Sequence, residues 1–237
     1  MKILALEFSS PQRSVAVVAQ SPGLSPSPTQ QGRGTKGEGS TLSEVIKTGP
    51  QSANALGMIA DALRQAQIER NQIQCLAIGL GPGSYNGIRS AIALAQGWQL
   101  ASGDRAIKLL GISTAECLAA QAQAEGLSGR VEVVIDAQRN EFYLAGYQID
   151  PAGSQEIDPL RLANLAGVQA REQAGGIIVG PEVSKWFSNG RIIFPRATAL
   201  GQLALARNDF VAGEKLEPIY LRETNFIKAP PPRKLPS

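Results

Sequence analysis

Apolar and polar residues follow two periods along this chain. Aliphatic, β-branched runs at residues 3–6 and 15–18 flank the polar stretch 9–13, which predicts two strands joined by a turn. Residues 14–19 and 42–47 read as the strands on either side of a longer connection. Within residues 52–67, Leu56, Ile59, Ala60 and Leu63 recur at i, i+3, i+4 and i+7, the spacing of an amphipathic helix. The apolar run 75–80 predicts a strand that enters a glycine-rich turn. A helix over 87–101 and a strand over 107–112 follow. Ser113 with Glu116 three residues later has the form of a capping box, so a helix is expected through Ala122. Strands and helices in this alternating order predict a layered α/β fold.

The layout then restarts. An apolar run at 131–135, Asp136, a polar turn at 137–140 and a second run at 142–147 repeat the N-terminal order of run, Glu7, turn and run. Strand-like segments at 177–179 and 192–194 come later. The expectation is two related halves, divided as residues 1–108 and 109–237, each opening with a β-hairpin. That arrangement resembles the superfamily of actin, the sugar kinases and the heat-shock ATPases. There the first turn reads Asp-x-Gly and wraps a phosphate; here it reads Glu7-Phe8-Ser9-Ser10, with side chains where glycine would let the backbone approach closely.

Composition narrows the chemistry. The 237 residues contain no histidine, which removes the commonest general base and metal ligand and every mechanism that pairs Ser or Cys with His. Two cysteines, Cys75 and Cys117, are too few for a disulfide framework or a cysteine-rich zinc site. No metal or cofactor is expected. A net charge of +3, much of it at Lys228, Arg233 and Lys234, gives little support for a nucleic-acid face. The N-terminal apolar run meets Glu7 too soon for a secretory signal, and no stretch approaches the roughly 20 apolar residues that span a bilayer, so a cytoplasmic protein without membrane contact is expected. In residues 21–40, twelve of twenty are Gly, Pro or Ser, which reads as a surface loop inside a hairpin; residues 229–237 form a Pro-rich tail.

The stretch Gly79-Leu80-Gly81-Pro82-Gly83-Ser84-Tyr85-Asn86-Gly87-Ile88-Arg89 makes a tight turn ahead of a helix. Its amides can serve as a plain helix cap or face an anion; it is no Walker loop, because no Lys-Ser/Thr follows the last glycine. The helix after it lacks charge from Ser90 to Gly103 and carries Ala91, Ala93, Ala95 and Gly97. The preceding helix has Ala53, Ala55, Gly57, Ala60 and Ala62. Small and apolar residues on most faces indicate either a helix buried in its own core or one that meets a partner.

Four blocks (residues 1–18, GLGPGSYNGIRSAIALAQGWQLA, VIDAQRNEFY and EPIYLR at 217–222) resemble the bacterial TsaB (YeaZ) family in order and spacing. That family is a non-catalytic subunit of the machinery making N6-threonylcarbamoyladenosine in tRNA. The resemblance implies pairing with the larger catalytic paralogue TsaD, joined by the ATPase TsaE. It also implies homodimerisation through the same helices when the chain is alone, and contact with tRNA only through the complex. Carried over, it places partner contacts on Asn54, Met58 and Asp61, on Ser84, Tyr85 and Asn86, and on Ile88, Arg89, Ile92, Ala95 and Gln96. The chain departs from the family at Glu7-Phe8-Ser9 in place of Asp-Thr-Ser, at Tyr85-Asn86 in place of Phe-Thr, and at Pro50-Gln51-Ser52, where a histidine often opens the first helix. These departures weigh against direct nucleotide or metal contact. The rival readings are a small ATP-dependent kinase using Glu7 or Asp136 in an interdomain cleft, and a free-standing homodimer with a separate binding role. Arg89 and Arg222 are the candidates for a specific polar contact. Tyr143, Trp186 and Phe187 read as core.

Overall fold

The computed structural model describes residues 1–20, 39–49, 53–103 and 105–222; the segment 21–38, the interior of the Gly/Pro/Ser-rich stretch, and the Pro-rich tail lie outside the described residues. Among the described residues, ten strands form two five-stranded sheets. The first takes β1 (Lys2–Glu7), β2 (Gln12–Gln20), β3 (Gly39–Thr48), β4 (Cys75–Gly79) and β5 (Lys108–Ile112), in the spatial order β3-β2-β1-β4-β5. The second takes β6 (Gly129–Asp136), β7 (Glu141–Asp150), β8 (Gly153–Asn164), β9 (Ile177–Gly180) and β10 (Arg191–Ile192), in the order β8-β7-β6-β9-β10. The two orders match: a meander of three antiparallel strands, then two parallel additions on the other side of the first strand. The repeat expected from the acidic residue closing each hairpin's first strand is therefore a repeat of topology.

β1 and β4 are apolar at nearly every position because both faces of the first sheet are covered. Leu4, Leu6, Leu76 and Ile78 face one side, where they meet α1 (Ala55–Ala66) and α2 (Tyr85–Leu100). Ile3, Ala5, Cys75 and Ala77 alternate to the other side, where α5 (Ala197–Leu205) lies. α3 (Thr114–Ala124) turns Cys117 toward that layer and Ala115, Leu118, Ala119 and Ala122 toward the second sheet. α4 (Leu165–Gln173) covers the far face of the second sheet through Val168. The order of layers is thus α1/α2, sheet, α3/α5, sheet, α4.

The division at residue 108 needs correcting in two respects. β5 begins there and completes the first sheet, and α5, late in the chain, packs on that sheet too. Its seat is specific: Ser14 Oγ accepts the Ala197 N–H at 2.8 Å, and the Arg196 guanidinium meets the Glu44 carboxylate at 2.5 Å. Helix starts also differ in detail. α1 begins at Ala55 because Asn54 caps it, its side chain accepting the Gly57 N–H. Ser113 caps α3 through the Ala115 N–H, but Glu116 turns away from it to bind Arg207 at 3.0 Å, so no capping box closes. Among the described residues no helix is long and apolar enough to cross a membrane.

Candidate functional site

Two surfaces hold the residues singled out in the sequence. The first is the cleft between the halves, about 600 Å³, walled by Ser9, Ser10 and Gly83–Asn86 from one half and by Asp136, Gln138, Tyr143 and Glu182 from the other, with Tyr220 at its edge. The glycine-rich turn that borders it packs against the first hairpin turn. A side chain on Gly83 would lie 2.2 Å from Ser9 O, and one on Gly87 1.9 Å from Phe8 O, while Ser84 N–H donates to Ser9 O at 2.6 Å. Ser84 also caps α2 through the Gly87 N–H. These glycines therefore serve a close approach of backbone to backbone, and Ser84 gives the helix the cap that the turn-and-cap reading expects. Phe8 is placed differently from the expectation: its ring is fully buried in the outer core of the first half, a contribution of roughly 1.5–3 kcal/mol, and it is the turn's backbone that fills the gap.

The carboxylates differ in placement. Glu7 is fully buried, accepts the Ser9 N–H at 2.9 Å and does not line the cleft; burial drives its pKa up, with the Ser9 and Thr114 hydrogen bonds opposing. Asp136 does line the cleft, and it caps its own turn through the Gln138 N–H at 2.7 Å. Both cysteines are buried. Burial pushes the Cys75 thiol to about 12 and Cys117 well above its ordinary value, so each behaves as a small apolar group. Phe187 is core, with Trp186 packed on the same cluster, but Tyr143 is only partly buried and reaches the cleft wall. Among the described residues no group of three or more His, Cys, Asp or Glu is arranged to hold a metal ion.

The second surface is the outer face of α1 and α2, and here the residue choices need correction. Met58, Ile88, Ile92 and Ala95 point into the first half's core, at 2%, 0%, 7% and 0% exposure, because they belong to the stripes that face the sheet. Asn54 and Ser84 are occupied as helix caps, Asp61 pairs with Arg64 at 2.7 Å, and the Gln96 amide donates to Gly213 O at 2.9 Å. Tyr85, Asn86 and Arg89 remain exposed; the Arg89 guanidinium lies over the Tyr85 ring at 5.0 Å and bonds its hydroxyl. The exposed apolar residues are others. Leu56, Ala60 and Leu63 from α1 and Ala93, Leu94 and Gly97 from α2 border an open apolar groove of about 350 Å³, with Leu56 69% exposed and Leu100, further along α2, 83% exposed. On α1 these are members of the spacing read from the sequence (Leu56, Ile59, Ala60, Leu63), of which only Ile59 is buried; on α2, Ala93, Gly97 and Leu100 repeat i, i+4, i+7 beside the buried stripe.

Two hairpin-opened α/β halves around a cleft make up an actin- and sugar-kinase-like fold. Residues 50–223 match the family model for TsaD, tRNA N6-adenosine threonylcarbamoyltransferase. The tRNA threonylcarbamoyladenosine biosynthesis protein TsaB of Escherichia coli (strain K12) is 29% identical over 184 residues, 70% of this chain and 78% of that protein. TsaB of Haemophilus influenzae is 26% identical over 215 residues, 82% of this chain and 89% of that protein. The solved structure of YeaZ from Pseudomonas aeruginosa superposes with a TM-score of 0.70 at 22% identity, covering 93% of this chain and 99% of its own. The chain belongs to this TsaD-related family, in its TsaB (YeaZ) branch.

Proposed function

We propose that this chain takes part in N6-threonylcarbamoyladenosine synthesis in tRNA as a subunit that supplies no reacting group. It docks through the α1–α2 face onto the catalytic paralogue TsaD, with the ATPase TsaE joining, and meets tRNA only within that assembly. Alone, it pairs with a second copy through the same face. Its effect on the paralogue is a population shift: a partner that binds one conformation more tightly raises the share of that conformation. The work takes place in the cytoplasm.

The observation that carries this reading is the open apolar groove bordered by exposed Leu56, Ala60, Ala93 and Gly97 and half-buried Leu63 and Leu94, on two helices that already bury a full stripe in their own core. Small residues there allow a partner helix to approach closely. Against the kinase reading, Glu7 lies buried away from the cleft and the Phe8–Ser9 backbone sits against the glycine-rich turn, while Asp136, which does line the cleft, is engaged by the Gln138 N–H.

The test uses Leu56→Glu and Gly97→Arg, both at exposed positions where the monomer has room. Each should keep the thermal melt of the parent chain while abolishing self-association and co-purification with the paralogue. A charge buried without a partner at an interface costs several kcal/mol, on the order of a thousandfold in affinity. Folded variants that still associate would refute the docking face.

A further inference from the structure

The block at 217–222 resembles the family and yet has no part in the docking face. It ends a segment fastened along the edge of the first sheet. Val211 N–H donates to Leu109 O at 2.9 Å, Leu216 is 4% exposed within the first half's core, and Ile219 N–H donates to Leu80 O at 2.9 Å. Tyr220 then stacks on Tyr85, the first residue of α2, with ring centroids 5.5 Å apart and 27° between planes. Two residues later the chain reaches the other half: Arg222 Nη2 donates to Ala137 O at 3.0 Å and pairs with Glu141 at 2.5 Å.

The turn that Arg222 grips is unusual. Gln138, Arg139 and Asn140 stand in succession at φ 63°, 56° and 60°, the left-handed region that side-chain-bearing residues avoid. Such backbone persists only where its surroundings over-determine it. Here the Asp136 carboxylate holds the Gln138 N–H from inside the turn, and Arg222 engages Ala137 O and Glu141 from outside. Gln138, Tyr85 and Tyr220 all border the cleft, so the same contacts set one end of its opening.

We propose that residues 211–222 are a clasp across the cleft, which fixes the left-handed turn of the second half and couples it to the start of α2 through the Tyr85–Tyr220 stack. This does not depend on which partner the helices meet, and it is testable in the free chain.

Hydrogen exchange on the full chain reads it at three amides: Ala137 and Glu141, bonded within the turn, and Ile219, bonded to Leu80. Arg222→Met keeps the apolar stem and removes the guanidinium. It should speed exchange at Ala137 and Glu141 at least tenfold while leaving β1, β4 and α3 unchanged. Arg222→Lys keeps the charge but replaces the planar Nη2, which reaches both Ala137 O and the Glu141 carboxylate, with a more flexible ammonium, so it should fall between. Tyr85→Ala should speed exchange at Ile219 and also at Glu141, although the ring and hydrogen-bond contacts of Tyr85 run to Tyr220 and Arg89 and not to that turn. Unchanged exchange at the turn in Arg222→Met, or a uniform rise across the chain, overturns the clasp. So does Tyr85→Ala leaving Glu141 protected. If Arg222→Met fails to fold, Arg222→Lys decides, and parental protection at the turn in that variant overturns it too.

Discussion

Glu7 and Asp136 hold the same station in the two halves: each closes the first strand of a hairpin, and each carboxylate accepts the N–H two residues on, Ser9 at 2.9 Å and Gln138 at 2.7 Å. Their surroundings then diverge. Gly79 packs against Glu7 so closely that a side chain there would lie 2.1 Å from the carboxylate, whereas Asp136 lines the open cleft. One ancestral-looking arrangement therefore holds one carboxyl sealed in the core and one at a solvent-filled wall.

That sealing makes stability depend on pH. Burial raises the Glu7 pKa, so above the ordinary carboxyl range the folded chain keeps a proton that the unfolded chain has released. The unfolded state then binds fewer protons, and this residue's contribution to stability falls as pH rises through that window. Glu7→Gln removes the term. Denaturant melts at pH 4, 6 and 8 should show the variant gaining on the parent chain with each step. A difference between the two that stays constant with pH would mean that Glu7 ionises as readily folded as unfolded.

The isolated chain should bind ATP weakly, with a dissociation constant well above 1 μM, about −8 kcal/mol, and should not hydrolyse it. In the superfamily the first hairpin turn wraps a phosphate; here that turn carries Phe8 and Ser9, and its backbone is already packed against the glycine-rich turn at Gly83 and Gly87. Calorimetric titration checks this; sub-micromolar binding with cleavage lost in Glu7→Gln or in Asp136→Asn would restore the kinase reading.

The fold was largely legible because burial on both faces leaves β1, β4 and β6 as nearly continuous apolar runs. β8 carries no sequence signal because it is an edge strand with mostly exposed or half-buried side chains and Pro159 within it, so neither alternation nor an apolar run marks it. α4 and α5 lack a helical signal for opposite reasons. α4 buries only Val168, which leaves no stripe, and α5 is nearly all apolar with no side-chain cap. The spacing of Leu56, Ala60 and Leu63 is legible in the sequence, but not that this stripe faces outward. When both stripes of a helix are apolar, periodicity cannot tell Met58 from Leu56; only the position of the sheet does.

Removing residues 22–38 and joining Gln20 to Gly39 through a short turn should leave the fold intact. Gln20 and Gly39 are already paired across β2 and β3, and Gln202 holds Gly39 O at 3.1 Å, so Gly39 itself must stay. Closing a loop shorter by about two doublings changes entropy by roughly 1 kcal/mol in favour of the folded chain. A denaturant melt that loses several kcal/mol instead would mean that the segment contributes contacts of its own.

Two glycines of α2 should respond in opposite directions to alanine. At Gly87 the new methyl would lie 1.9 Å from Phe8 O, a backbone atom that can move only by shifting the first hairpin turn, so Gly87→Ala should lose about 1–3 kcal/mol as overpacked sites do. At Gly97 nothing lies within 4 Å, and the residue is exposed in the middle of the helix. There alanine should gain up to about 1 kcal/mol from helix propensity, a rise in Tm of about 2–4 °C for a chain of this size. Thermal melts of the two variants test the packing. The same Gly97→Ala protein also tests the docking face, since a methyl that the monomer accommodates without strain would obstruct a helix seated on the groove. The expected result is a more stable monomer with weaker self-association by sedimentation; equal or tighter association would mean that Gly97 lies outside the contact.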